Sequence, residues 1–159
     1  MMPMIADMEA EAPGLRFELA WPDKKLSPNA RMHWRPKAEA VKRARWDASY
    51  AVLEAAGGSL SAIRAALAGD VRIPLRVAFY PPDARHRDDD NLVSSFKASR
   101  DGIADALGVN DRRFLPEYYF EAPEKPGRVQ VSIYVDNPKY FAATESDAVN
   151  GSSSQAEAA

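Results

Sequence analysis

A chain of 159 residues has room for one domain, and its 46% apolar content is enough for a core. Cysteine is absent and the only histidines are His33 and His86, which excludes disulfides, thiolate nucleophiles, Cys-ligated zinc and a His-rich metal site. The net charge of −2 conceals an asymmetry: all 21 basic residues fall between Arg16 and Lys139, while six of the 23 acids lie in the two ends.

Residues 1–13 are rich in Met, Ala and Glu without periodicity, and read as a flexible N-terminal arm. Leu15–Ala20 alternates apolar and polar residues, the pattern of a half-buried strand. The following WPDKKLSPNARMHWRP is too polar and too often interrupted for regular structure, and reads as a long loop. Pro36 to Ala56 has helical period, with Val41, Ala44, Ala48, Val52 and Ala55 as the expected buried face. Gly57-Gly58 stops this helix, and a shorter one is expected up to about Leu67.

Val71–Tyr80 is the strongest strand signal and ends at Pro81-Pro82. One long helix is then expected from Asn91–Ser94 to Leu107, buried through Leu92, Phe96, Ser99, Ile103 and Leu107 and stopped by Gly108. Strands at Glu117–Glu121 and Val129–Val135 close the domain, joined through a PEKPG turn. The order β-α-(α)-β-α-β-β predicts an α+β fold, a two-layer α/β sandwich with a mixed sheet, over residues 14–141. Residues 142–159 read as a disordered acidic tail. No apolar run is long enough for a membrane span and no secretory signal stands at the start, so a cytoplasmic protein without membrane contact is expected.

Two segments carry the chemistry. Lys24 to Arg45 holds Lys24, Lys25, Arg31, Arg35, Lys37, Lys42, Arg43 and Arg45 against Glu39 alone, a local charge of +7. Such a cluster attracts a polyanion, or else forms a solvated helix face. The second segment is RHRDDDNL, with Asp88, Asp89 and Asp90 between strand and helix and Arg85 and Arg87 beside them. In extended chain Asp88 and Asp90 would face the same way, suiting a hard divalent cation that keeps waters and meets phosphate oxygens. The other reading is an acidic turn that caps the next helix. Downstream, Asp90, Ser94, Lys97, Asp101 and Asp105 share one helix face, either as a solvated stripe or with Lys97 beside a scissile phosphate. Asp111 follows Gly108 in a segment that by itself reads as a loop.

From Trp21 to Val135 the chain resembles the RusA family of Holliday junction resolvases. The resemblance rests on WP followed by SPNARMHWR, on D-x-D-N-L after a strand, on RDGIADALG in the next helix, on an Asp beyond the glycine, and on a closing GRVQVSIYV strand. It implies a Mg²⁺-dependent endonuclease (Mn²⁺ serving in its place) that resolves four-way DNA junctions by paired nicks as a homodimer. It further implies Asp88, Asp90 and Asp111 as metal ligands. The family's lysine stands four residues after the second aspartate, where this chain has Ser94, so its catalytic role passes to Lys97. The backbone-tracking contacts would come from Lys24, Lys25, Arg31, His33, Arg35, Lys42, Arg43, Arg85 and Arg87. The alternative is a branched-DNA-binding protein that does not cut. A D-x-D glycosyltransferase is disfavoured, because no Gly-rich phosphate loop is present.

Overall fold

The computed structural model describes residues 14–31 and 34–135. The expected N-terminal arm, the acidic tail, the last residues of the expected domain and His33 lie outside these described residues. Within them, four strands and four α-helices form the expected α+β architecture: β1 (Leu15–Ala20), α1 (Trp34–Ala56), α2 (Leu60–Ala66), β2 (Ile73–Tyr80), α3 (Asp89–Ser95), α4 (Lys97–Leu107), β3 (Phe114–Phe120) and β4 (Arg128–Ile133).

The sheet order is β1-β4-β2-β3. β4 pairs antiparallel with both β1 and β2, while β3 runs parallel to β2, so the sheet is mixed. Register aligns the apolar residues of neighbouring strands: Val77 opposes Val131, which opposes Phe17. With a two-residue period, Ile73, Leu75, Val77 and Phe79 then share a face with Val129, Val131 and Ile133. All seven are essentially inaccessible to water, and they meet Ala48, Val52, Phe96, Ile103 and Leu107 from the helices. The other face is polar, with Arg128 stacked 3.9 Å above the Tyr80 ring and bonded to Glu18 at 2.7 Å.

Four elements depart from the sequence-based expectation. β3 begins at Phe114, three residues early, and includes Pro116; as an edge strand it tolerates a residue without an N–H. α1 begins at Trp34 rather than Pro36, leaving the proline within the first turn, where no intrahelical N–H is required. Its buried residues are Ala40, Ala48, Val52 and Ala56, whereas Val41 is 40% exposed and Ala55 is exposed. The expected face is thus met at Ala48 and Val52, with Ala44 half-buried, and missed at its edges by Val41 and Ala55. Finally, the single expected helix after β2 is two, broken at Phe96. The Ser95 hydroxyl donates to the Leu92 carbonyl at 2.7 Å, competing with the backbone ladder, and the Phe96 side chain turns fully into the core.

The α1–α4 contact decides where everything else lies. A Cβ on Gly102 would stand 2.0 Å from the Arg45 carbonyl oxygen, so the two backbones touch there. Beside that crossing, the Arg45 guanidinium forks onto Asp105, Nε to Oδ2 at 2.5 Å and Nη2 to Oδ1 at 2.9 Å. Arg45 therefore braces α4.

Candidate functional site

β2 cannot continue past Tyr80, because Pro81-Pro82 lacks two ladder donors. The chain turns into a loop organised by Asp83. Its carboxylate accepts from the Arg85 backbone N–H at 3.1 Å and from the Arg85 side chain at 3.0 and 2.7 Å. It accepts a further bond from Arg87 Nη2 at 2.8 Å. Arg87 Nη1 donates to the carbonyls of Asp83 and Arg85 at 3.0 and 3.1 Å, and its guanidinium lies 5.4 Å from the centre of the Trp21 ring. Hydrogen bonds from Arg85 and Arg87 hold the Asp83 carboxyl far below the ordinary carboxylate range.

Both arginines, expected on DNA, thus have donors committed to the loop. Arg85 keeps a 75% exposed side chain, while that of Arg87 is only 21% exposed. Asp83 itself was missed. The signal for it was available: an Asp after a strand-ending Pro-Pro, with arginines two and four residues later.

The expectation that Asp88 and Asp90 face the same way in extended chain is not met. Asp88 is extended and caps α3, its Oδ1 accepting from the Asp90 N–H at 2.9 Å, but Asp89 and Asp90 are already helical. The residue sharing the side of Asp88 is Asn91, one helical turn on. Both line a cleft of about 510 Å³ together with Trp21, Asp23, Lys24, Ser27, Asn29 and Arg87. The turn-capping reading of the Asp triplet and a role in a site therefore coexist at Asp88. Asp90 is exposed in the first turn of α3, outside the cleft lining.

The opposite wall is the Trp21–Ala30 loop, which is less irregular than its composition suggests: Lys24–Leu26 is a 3-10 turn capped by the Asp23 carboxylate on the Lys25 N–H at 2.9 Å. Trp21 anchors that wall to the core through an edge-on contact with Phe79, 6.2 Å between ring centres. Gly127, at φ 88°, packs so closely behind it that a Cβ would meet Pro82 at 2.9 Å and Trp21 at 3.1 Å. The fold therefore brings the SPNA loop and the D-x-D-N segment, some sixty residues apart, to one cleft.

It does not bring Asp111 there. β3 is parallel to β2, with Phe114 opposite Ile73, so Asp111–Arg113 precedes the start of β3 at the end of the sheet where β2 begins. Asp88 follows the end where β2 finishes, and eight residues of strand separate those ends by about 23 Å. The parallel crossover imposes this, since its helices must carry the chain back along the sheet. Asp111 instead lies 3.6 Å from the Arg100 guanidinium. Among the described residues no three carboxylate or imidazole side chains converge as a metal site, so one chain does not form the three-aspartate set that the resemblance implies. The cleft offers two carboxylates, Asp23 and Asp88.

Lys97 opens α4 about 10 Å of helix beyond Asp90, 66% exposed and 3.6 Å from Asp101, as a solvated stripe would have it. The +7 segment is divided. Lys24 lines the cleft, Arg31 is exposed next to the lining residue Ala30, and Lys25 is half-buried. Arg35 stacks over Trp34 in the first turn of α1, 5.3 Å from the ring centre. Lys42 and Arg43 stand farther along α1, beside a second hollow of about 520 Å³ that also contacts Trp46 and Asp105. Among the described residues no helix is long and apolar enough to cross a membrane.

No family model matches the chain. A protein of Xylella fastidiosa (strain Temecula1 / ATCC 700964), described as uncharacterized, is 42% identical to it over 134 residues, spanning 83% of this chain and 84% of that protein.

Proposed function

The chain belongs to the family of that Xylella fastidiosa protein, and we propose that it is a structure-selective endonuclease of the RusA type, acting on four-way DNA junctions in the cytoplasm. The observation that carries this reading is the shared cleft: a loop bearing Lys24, with the exposed Arg31 just beyond its end, faces Asp88 and Asn91 across about 510 Å³. Basic groups on one wall neutralise the phosphate backbone and fix its position. Asp88, which lines the cleft and is fixed there by its capping bond to the Asp90 N–H, is the carboxylate that meets the substrate. Ser27, Asn29 and Asn91 supply neutral donors and acceptors for phosphate or sugar oxygens. Mg²⁺ would enter as an ion held between Asp88 and substrate phosphate, where it would supply an activated water and neutralise developing charge. Paired nicks require two such clefts related by a two-fold axis, hence a homodimer.

A non-cleaving junction-binding protein is the second reading, and one observation favours it: Asp111 is at the far end of the sheet from Asp88. A labelled mobile junction incubated with the protein, with and without Mg²⁺, separates the two. Paired Mg²⁺-dependent nicks, lost in Asp88→Asn, are expected. Tight junction binding with no cleavage in either Mg²⁺ or Mn²⁺ would refute the endonuclease reading and leave the binding one.

A further inference from the structure

A third hollow, of about 130 Å³, lies beside the cleft. The two share Trp21, Pro22 and Asp23, and at the α3–α4 break Ser95 lines the cleft while Phe96 and Ser99 line the hollow. Its floor is apolar and deep, since Phe96 and Val129 are each only 1% exposed. Its rim is polar: Arg43 and Asp47 of α1 are exposed there, and the half-buried Ser99 of α4 adds a hydroxyl. Arg43 and Asp47 stand at the spacing at which opposite charges can pair on a helix, yet they do not pair. Among the described residues none of these three side chains has a hydrogen bond or an ion pair.

An apolar slot with a few uncommitted polar groups at its mouth is the ordinary form of a ligand site. The chemistry of that mouth narrows the ligand. A phosphate would meet the carboxylates of Asp23 and Asp47, and a plain hydrocarbon would leave Arg43, Asp47 and Ser99 unused. A nucleobase satisfies both parts: its flat faces suit the aromatic and aliphatic lining, and its edge carries donors and acceptors for the rim. A carboxylate only accepts, so Asp47 favours an edge with an exocyclic amino group. Thymine offers a single ring N–H between two carbonyls, whose oxygens repel that carboxylate. At about a quarter of the cleft's volume, the hollow has no space for sugar and phosphate as well; these stay in the adjoining cleft, beside Lys24.

We propose that this hollow takes up one unstacked nucleobase bearing an exocyclic amino group, with Asp47 accepting from that group. The base belongs to the strand whose phosphates lie in the cleft. Stacking is already interrupted at a branch point, so extrusion costs least there. The inference rests on the junction binding of the reading above, not on cleavage, and adds a base preference to it.

Junctions with fixed arms, carrying 2-aminopurine at each branch-point position in turn, test the uptake in the absence of Mg²⁺, so that no strand is cut. 2-Aminopurine itself bears an amino group, and its fluorescence rises when it leaves the stack. Adding the full chain should raise the fluorescence severalfold at one position, and Asp47→Ala should abolish that rise. At the same position cytosine, adenine or guanine should bind about tenfold tighter than thymine. Asp47→Ala should bring that ratio to within about twofold of unity. Asp47→Asn, whose amide donates as well as accepts, should keep the uptake but lose the penalty against thymine. Asp47 is exposed, so both variants are expected to fold, which circular dichroism checks. Junction binding without any rise in fluorescence would overturn the proposal, as would a rise or a thymine ratio unaffected by Asp47→Ala. A chain that binds no junction at all would instead refute the DNA reading, and this proposal with it.

Discussion

Gly102→Ala is the sharpest test of how this fold is held together. Helix propensity alone favours it, since alanine in a helix interior is preferred over glycine by about 1 kcal/mol. The α1–α4 crossing opposes it. The new methyl would sit 2.0 Å from the Arg45 carbonyl oxygen and 2.9 Å from its carbon, and these are backbone atoms that cannot rotate aside. Reaching an ordinary contact of 3.4 Å requires the helices to part by about 1.4 Å, which strains the Arg45–Asp105 fork and the packing around Ile103. Overpacking of this kind costs about 1–3 kcal/mol. With the propensity gain set against the upper part of that range, a net destabilisation of about 1–2 kcal/mol is expected, or roughly 4–8 °C in Tm for a domain of this size. Gly58→Ala is the control, because its Cβ meets no atom within 4 Å; it should be neutral or stabilise by up to about 1 kcal/mol. Urea and thermal unfolding of both variants supply the numbers. A Gly102→Ala variant as stable as wild type would refute the close approach of the two helices.

Asp88→Asn should abolish cleavage while keeping junction affinity within a few-fold of wild type or tightening it, because a negative charge leaves the path of the phosphates; Asp89→Asn, outside the cleft lining, should cut normally in the same assay. Replacing Lys24, Arg31 and Arg35 together by Ala should flatten the log–log salt dependence of junction binding by up to about three units, at about one per lost phosphate contact. An unchanged slope would remove the basic wall from the DNA interface. The Asp83 loop predicts an acid response of definite sign. Its folded pKa is depressed, so its stabilisation is complete above the ordinary value of 3.8 and declines as pH falls below it toward the folded value. Thermal melts from pH 5 downward should therefore fall more steeply for wild type than for Asp83→Asn, and parallel profiles would refute the arginine clamp.

How far the sequence reveals this molecule depends on the range of the forces involved. β1 and β2 were legible because a strand's two-residue alternation is local, and the stop at Gly108 because only a residue tolerating φ of 68° closes a helix that way. The break at Phe96 was not legible. The helical period runs smoothly through Leu92, Phe96, Ile103 and Leu107, and only the serine back-bond and the depth of the core at Phe96 interrupt it. Likewise, RDDDNL announces a site, but whether Asp90 or Asn91 accompanies Asp88 turns on where the helix begins, a matter of one residue. Arg85 and Arg87 read as free cations because a sequence does not display which donors Asp83 will occupy.

By itself the sequence determined the class of fold, its four strands in order, and the two segments that meet in the cleft, since composition, periodicity and turn residues act over a few neighbours. Only the tertiary structure decided what those segments stand beside. Strand direction sent Asp111 to the far end of the sheet, because a parallel crossover must return its chain to the starting edge before pairing. Helix contact decided which residues at the edge of that side of α1 are buried, because several small residues share it until Gly102 admits the Arg45 backbone.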